Sequence, residues 1–257
     1  MHIDFKNIMT ATNPEKIVNV FIPCGMDMFS PNVANSTLSL IEKLGFTPFY
    51  NENQTCCGRR FYMEGKMDYA RELGDKLMSE FDPKYPIVAP SSACVGFIRK
   101  HYRKLLENTH VPMDLKLFTD NIFEISDFIV NQLGITKLNN YFNQRVFYFK
   151  SCSARNLYRY NNAPEVLLQN TAGLEFLSDS DMNMCCSANG NFALASPETA
   201  NKMLEQIVTK IYSMGAQYIT STDIHCLQYI DAYIQENDIG LEVIHLVDIY
   251  NATAPTK

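Results

Sequence analysis

The sequence lacks the features of membrane, nucleic-acid-binding and secreted proteins. No apolar run approaches the roughly 18 residues that a membrane-spanning helix needs. The net charge of −6 and the pI near 5.4 argue against a general nucleic-acid binder. The first residues show no basic run followed by an apolar block, which a secretory signal would require. We therefore expect a soluble, cytoplasmic protein that does not span a membrane and does not bind nucleic acid.

Motifs that would let the chain oxidise an organic substrate alone are also absent. The sequence has no Gly-rich phosphate loop, no flavin or nicotinamide fingerprint and no legible Ser-His-Asp arrangement. It has no C-x2-4-C hook, which structural zinc sites usually use. It also lacks the ferredoxin run C-x2-C-x2-C-x3-C-P. Any ferredoxin-type cluster that works with this protein must therefore lie on another chain.

What the sequence does contain is eight cysteines in a repeated pattern. Four of them form two adjacent pairs, Cys56-Cys57 and Cys185-Cys186. Adjacent Cα atoms lie about 3.8 Å apart, which is less than the roughly 4.4–6.8 Å of a relaxed disulfide. A pair can instead present two thiolates to one multi-atom site. The spacing C-x31-CC-x36-C recurs as C-x32-CC-x39-C, which predicts two similar halves.

Short apolar runs alternate with helical patterns in the same order in both halves. Strands are predicted at 17–22, 46–50, 85–89, 123–125, 144–149, 174–177, 217–221 and 241–246. Helical patterns are predicted at 31–45, 63–80, 127–134, 164–173 and 197–215, and directly after Cys94. This alternation predicts an α/β fold of two pseudo-symmetric halves, each a small parallel sheet with flanking helices.

The boundary between the halves is predicted at 135–143. The first cysteine-rich domain then covers 1–134, with 1–16 as a loose lead-in, and the second covers 144–257.

The cysteines are expected to meet at one edge of each sheet. In folds of this kind, sites form outside the carboxyl ends of the strands. Predicted strands end just before Cys24, Cys94 and Cys152, and a few residues before Cys226. Four thiolates from such loops suit an iron–sulfur cluster. A four-cysteine zinc site in one half and a set of buried, unreactive cysteines remain open alternatives.

These residues resemble the cysteine-rich CCG-domain family, which includes subunits of heterodisulfide reductase and glycolate oxidase. The resemblance rests on Cys24-Gly-Met-Asp27-Met-Phe29, Cys56-Cys57-Gly58, Ser91-Ser-Ala-Cys94, Ser151-Cys152, Cys185-Cys186 and Asp223-Ile-His-Cys226-Leu227. It implies an iron–sulfur electron-transfer subunit of an oxidoreductase complex that oxidises L-lactate or a similar 2-hydroxy acid to the 2-oxo acid.

The resemblance also implies the cofactor, its ligands and the partners. One or two clusters of the [4Fe–4S] type would be bound, with zinc as an alternative at one site. Companion subunits are implied, one of them with ferredoxin-type clusters. The metal ligands would be the eight cysteines Cys24, Cys56, Cys57, Cys94, Cys152, Cys185, Cys186 and Cys226.

The sequence departs from the heterodisulfide reductase pattern. That type has C-x-x-C at the third element and five cysteines in each half, whereas Ser91 and Phe97 flank Cys94 here. Four cysteines per half argue against a non-cubane cluster and its disulfide-cleaving chemistry. A thiol/disulfide reductase subunit and a zinc-stabilised interaction module remain alternative functions. Ser187 also follows the second pair, where the family commonly has glycine.

Four further residues near the pairs are candidates for tuning a cofactor. Arg59 follows the first pair, and a guanidinium there would stabilise the reduced state of a negatively charged cluster. Asn189 and Gly190 follow the second pair and could aim backbone N–H groups at sulfur. His225, beside Cys226, could tune the site or replace a ligand. A solvated arginine, an ordinary turn and an outer or surface histidine are the simpler interpretations.

Overall fold

The structure is a computed structural model that describes residues 16–159, 162–188 and 192–254. Its strands are β1 (Ile17–Val20), β2 (Thr47–Tyr50), β3 (Ile87–Ala89), β4 (Ile122–Glu124), β5 (Arg145–Tyr148), β6 (Glu175–Leu177), β7 (Tyr218–Ser221) and β8 (Glu242–His245). The predicted lead-in lies outside these residues, except for Lys16.

Twelve α-helices lie among the described residues, and two π-helical segments, Phe128–Gln132 and Ala154–Tyr158, accompany them. The α-helices are α1 (Cys24–Phe29), α2 (Pro31–Lys43), α3 (Arg59–Met63), α4 (Met67–Glu80), α5 (Ser92–Leu105), α6 (Pro112–Asp120), α7 (Ile125–Asp127), α8 (Ala163–Gln169), α9 (Phe192–Ala195), α10 (Pro197–Ser213), α11 (Ile224–Glu236) and α12 (Leu246–Asn251).

The eight strands form two four-stranded parallel sheets with the same topology. The orders are β2-β1-β3-β4 and β6-β5-β7-β8, and every strand pairing is parallel. In this order β2 lies on one side of β1, and β3 and β4 lie on the other, so the strand order reverses between β1 and β3. It reverses in the same way between β5 and β7. Crevices at such switch points, outside the carboxyl ends of the strands, are the usual ligand sites of open α/β sheets. The predicted fold class is confirmed.

The two halves share a hydrophobic core. One cluster of buried side chains contains Val18 and Val20 of β1 together with Val146 and Tyr148 of β5. Two further clusters each fill one half and are dominated by its own residues. Because both sheets contribute to the central cluster, the halves pack as one body. The division at 135–143 stays a prediction.

The structure corrects several predicted helix bounds. The helical pattern predicted over 63–80 corresponds to α4, which begins at Met67, whereas Met63 ends the separate helix α3 and Gly65 at φ +76° lies between the two. Only a residue that tolerates the left-handed region allows such a turn. The predicted helix 127–134 begins earlier, as α7, and continues as a π-helical segment that ends before Gly134. No helix within the described residues is long and apolar enough to cross a membrane.

Candidate functional site

The first half brings four cysteines together beyond the ends of its strands. Cys24 is the first residue of α1, four residues after β1, and Cys94 lies in the first turn of α5, after β3. The Cys56-Cys57 loop follows β2. The Cys24 and Cys57 side chains lie within hydrogen-bonding reach of Cys56, and the Cys57 side chain lies within reach of Cys94. The four cysteines of the first site are therefore linked by side-chain contacts at the β1/β3 switch point.

The second half repeats this arrangement with its own cysteines. The Sγ atoms of Cys152 and Cys185 lie 3.8 Å apart, and those of Cys186 and Cys226 lie 2.8 Å apart. The Cys185 and Cys186 side chains are also within hydrogen-bonding reach of each other. The second four-cysteine site lies at the β5/β7 switch point, where Cys226 occupies the first turn of α11.

Each cysteine pair is followed by a residue in the left-handed backbone region. Gly58 has φ +78° and Ser187 has φ +64°. This turn aims the N–H of the residue at the first sulfur of the pair. Gly58 donates to the Sγ of Cys56 over 3.4 Å, and Ser187 donates to the Sγ of Cys185 over 3.4 Å. Both loops thus supply a backbone donor to sulfur.

One sulfur of each site is electrostatically suited to carry negative charge. The thiol of Cys24, then that of Cys57, donates to Cys56 and lowers its pKa to about 3, with help from the Gly58 N–H. In the second site, the thiols of Cys152 and Cys186 lower the pKa of Cys185 to about 2. A low-pKa cysteine is a thiolate at neutral pH, the form that binds metals.

The cysteines that hydrogen-bond to Cys56 and Cys185 have raised pKa values. Hydrogen bonding to Cys56 raises the pKa of Cys24 and of Cys57, and burial raises both further. The same causes act on Cys152 and Cys186 through Cys185. In each site, therefore, the cysteine with the lowered pKa lies between two cysteines whose pKa values are raised.

Each site is open to solvent at one end and closed at the other. Cys24 is exposed, and Cys56 is half-buried, whereas Cys57 and Cys94 are buried. In the second site, Cys152 and Cys185 are half-buried, while Cys186 and Cys226 are buried. A bound group would therefore have one edge near the surface.

Arg155 supports the second site, and the sequence pattern did not single it out. Its guanidinium donates to the carbonyl oxygens of Met182 and Met184, the residues that lead into the Cys185-Cys186 pair. The charge of Arg155 also helps to lower the pKa of Cys185. Its position three residues after Cys152 was the signal available in the sequence.

Two residues beside the cysteines reach across to the other half. Arg59, which follows the first pair by two residues, donates to the Oγ of Ser153 beside Cys152. His225, beside Cys226, packs so closely on Gly25 that a Cβ there would overlap the imidazole ring. Burial lowers the pKa of His225. His225 thus lies against the first site, although it belongs to the second half.

The other two candidate cofactor-binding residues, Asn189 and Gly190, lie outside the described residues. The roles of Arg59, Asn189 and Gly190 toward a cofactor stay predictions.

The donor set of each site fits an iron–sulfur cluster by its chemistry. Four cysteine sulfurs, one of them already a thiolate, are the ligands that such clusters take. A single zinc ion instead needs ligands at about 2.3 Å around one point. The part of the chain that the structure describes contains no group of three or more His, Cys, Asp or Glu side chains arranged to hold one metal ion. Four neighbouring cysteine sulfurs that enclose no single-ion position suit a group with several metal atoms.

The fold and the sites define an α/β protein made of two cysteine-rich repeats. The chain belongs to the cysteine-rich domain family known as CCG, whose model matches residues 18–99 and again residues 146–231. Each match contains one cysteine pair, the cysteine before it and the cysteine after it.

Relatives with similar sequences cover nearly all of the chain. Lactate utilization protein A of Bacillus subtilis (strain 168) is 26% identical over 235 residues, which cover 91% of this chain and 99% of the relative. The protein of the same name from Macrococcus caseolyticus (strain JCSC5402) is 29% identical over 235 residues, covering 91% and 96%.

One solved structure shares the fold. The crystal structure of a hypothetical protein from Helicobacter pylori superposes with a TM-score of 0.62 at 13% sequence identity. The match covers 95% of this chain and 50% of that chain, so this protein spans half the length of that structure.

Proposed function

We propose that this protein is an iron–sulfur electron-transfer subunit of an oxidoreductase complex that oxidises lactate or a similar 2-hydroxy acid. The observation that carries the proposal is the pair of four-cysteine sites, each with a backbone N–H donor to the first sulfur of its cysteine pair. The lowered pKa of that first cysteine agrees with metal binding. The relatives named lactate utilization protein A, which match across 91% of the chain, support lactate as the oxidised substrate.

The residues of the chain perform three tasks in this proposal. The eight cysteines hold the clusters, one in each half. The N–H groups of Gly58 and Ser187 and the guanidinium of Arg155 place positive charge toward the sulfurs, which stabilises added negative charge. Cys24 and the half-buried cysteines leave one edge of each site near the surface, where a partner chain can approach. A bound iron–sulfur cluster would supply one-electron transfer.

The two electrons and two protons that leave the hydroxy acid require a second site. Oxidation to the 2-oxo acid needs a base and a two-electron acceptor such as a flavin or nicotinamide, and the sequence shows a motif for neither. We therefore assign hydroxy-acid oxidation to a companion subunit, and we assign to this chain the one-electron relay. A further companion with ferredoxin-type clusters would receive the electrons.

Two alternative functions have less support. A thiol/disulfide reductase of the heterodisulfide reductase type would use five cysteines per half, and each half has four. A zinc-stabilised interaction module would need single-ion sites, and the described residues contain no such group.

The proposal is tested by assembling the complex from purified chains. Reduction of an artificial one-electron acceptor by L-lactate is measured anaerobically with this chain alone, with the companion chains alone and with all of them. We expect turnover only in the complete mixture, and loss of turnover when Cys57→Ser replaces the wild-type chain. Lactate turnover by the single chain, or full turnover without it, would contradict the proposal.

A further inference from the structure

Asp223 is the N-cap residue of α11, yet its side chain makes no capping hydrogen bond to that helix. An N-cap carboxylate normally accepts from the first N–H groups of its own helix. Here, Oδ1 accepts from the backbone N–H of Ala93 over 2.8 Å, in the first turn of α5. The carboxylate of the second half thus caps the helix of the first half that carries Cys94.

Three serine hydroxyls also donate hydrogen bonds to this buried carboxylate. Ser91 donates to Oδ1 over 3.3 Å, and Ser92 donates to Oδ2 over 3.0 Å. Ser151, which precedes Cys152, also donates to Oδ2. With the Ala93 N–H, four donors from both halves therefore meet on Asp223, which is 3% exposed.

These hydrogen bonds reach the backbone around two of the eight cysteines, one in each site. The N–H of Cys94 donates to Ser91 Oγ over 3.3 Å, and that hydroxyl donates to Asp223. Ser151 links Asp223 to the segment that begins with Cys152. The N–H of Cys226 donates instead to the main-chain carbonyl of Asp223 over 3.1 Å, a bond that does not depend on the carboxylate. The carboxylate therefore contacts the supports of Cys94 in the first site and of Cys152 in the second.

We infer that Asp223 is a positioning residue shared by the two four-cysteine sites, so that loss of its carboxylate loosens the ligands of both. This deepens the proposed function, because it rests on the eight cysteines being the ligand sets. The physical reason is that removing a buried acceptor leaves its donors unpaired. The unpaired donors would lie at the N-terminus of α5 and on Ser151, the residue before Cys152.

The chain offers a matched control in Asp248. This half-buried carboxylate also joins the halves, because it accepts from Ser36 over 2.5 Å and from Asn32 over 3.4 Å. Both donors lie on α2, and none of the eight cysteines lies on α2 or α12. Asp248→Ala therefore removes a carboxylate between the halves without removing a hydrogen bond to the supports of a cysteine.

The test follows the alkylation rate of each cysteine in metal-free, reduced protein by mass spectrometry. With Asp223→Ala, we expect labelling of Cys94 and Cys152 to accelerate about tenfold, since lost hydrogen bonds ease local opening. The main-chain hydrogen bond of Cys226 survives this substitution. With Asp248→Ala, the rates of Cys94 and Cys152 stay at the wild-type values. Asp223→Asn keeps one acceptor oxygen and should give smaller increases in the alkylation rates. This variant replaces the alanine variant in the test if the alanine variant does not fold.

Two results would overturn the inference: acceleration confined to Cys152, or the same pattern of rates in the Asp248 variant. A folded Asp223→Asn variant with wild-type rates at both Cys94 and Cys152 would also overturn it. The assay contains no metal, so it gives an answer even if the chain takes up no iron.

Discussion

Ser187 adopts the left-handed backbone conformation of Gly58, at φ +64° against +78°, directly after the equivalent cysteine pair. At Gly58 a side chain is excluded, because a Cβ there would lie 2.8 Å from the carbonyl oxygen of Ala70. The Ser187 side chain has room, and its Oγ lies 3.3 Å from the Sδ of Met203. The second loop thus keeps the N–H contact to sulfur at the cost of backbone strain.

Ser187→Gly should stabilise the protein. The left-handed region costs a residue with a Cβ about 1–2 kcal/mol, and the greater freedom of glycine in the unfolded chain offsets part of the gain. We expect the free energy of unfolding to rise by ~0.5–1 kcal/mol in anaerobic urea denaturation. Gly58→Ser is the matched control and should destabilise by more than this amount. A lower stability for Ser187→Gly would show that the hydroxyl contact outweighs the strain.

Glu124 should make stability fall as pH rises. It ends β4, caps α7 and is fully buried, and burial followed by the charge of Asp127 raises its pKa from 4.5 to about 8. The folded state therefore holds a proton on Glu124 that the unfolded state releases. The contribution of Glu124 to the free energy of unfolding is complete below pH 4.5 and is lost as pH rises through 8.

Glu124→Gln mimics the protonated side chain and should flatten this dependence. The measurement is the free energy of unfolding between pH 5 and pH 8.5 for the variant, the wild type and the exposed control Glu236→Gln. We expect the free energy of unfolding to fall as pH rises in the wild type and in the control, but not in Glu124→Gln. The same slope in Glu124→Gln would show that another group carries the proton.

Arg155→Gln should damage the second site and spare the first. The substitution removes the donors to the carbonyls of Met182 and Met184 and a positive charge near Cys185. Iron bound after reconstitution should fall by about half, the share of one of two equal sites. Arg159→Gln is the control, because this exposed arginine donates to the carbonyl of Asn156 within its own segment. Full iron content in Arg155→Gln would contradict the assignment.

Local sequence patterns predicted the strands and the grouping of the cysteines well. Apolar runs such as 17–22 are buried on both faces of a parallel sheet, and the cysteine spacing marks the loops at the strand ends. The repeated spacing of the cysteines was by itself enough to predict that the two halves are equivalent.

The contacts between the halves were not predictable in the same way. Asp223 and Ser91 each lie three residues before a cysteine, where an N-cap is expected. Nothing local indicates that the Asp223 carboxylate caps the opposite helix, or that His225 packs on Gly25. These contacts depend on how two sheets share one core.

The central claim is that the two four-cysteine sites bind iron–sulfur clusters, and metal analysis of anaerobically reconstituted protein tests it most directly. Iron, sulfide and zinc are measured per chain, with EPR after reduction, for the wild type, for Cys57→Ser and for Cys56→Ser/Cys57→Ser. We expect a brown protein with about four iron and four sulfide per loaded site. Both variants should lose the iron and sulfide that the first site binds in the wild type. A colourless zinc protein, or iron uptake no greater than that of the double variant, would contradict the account.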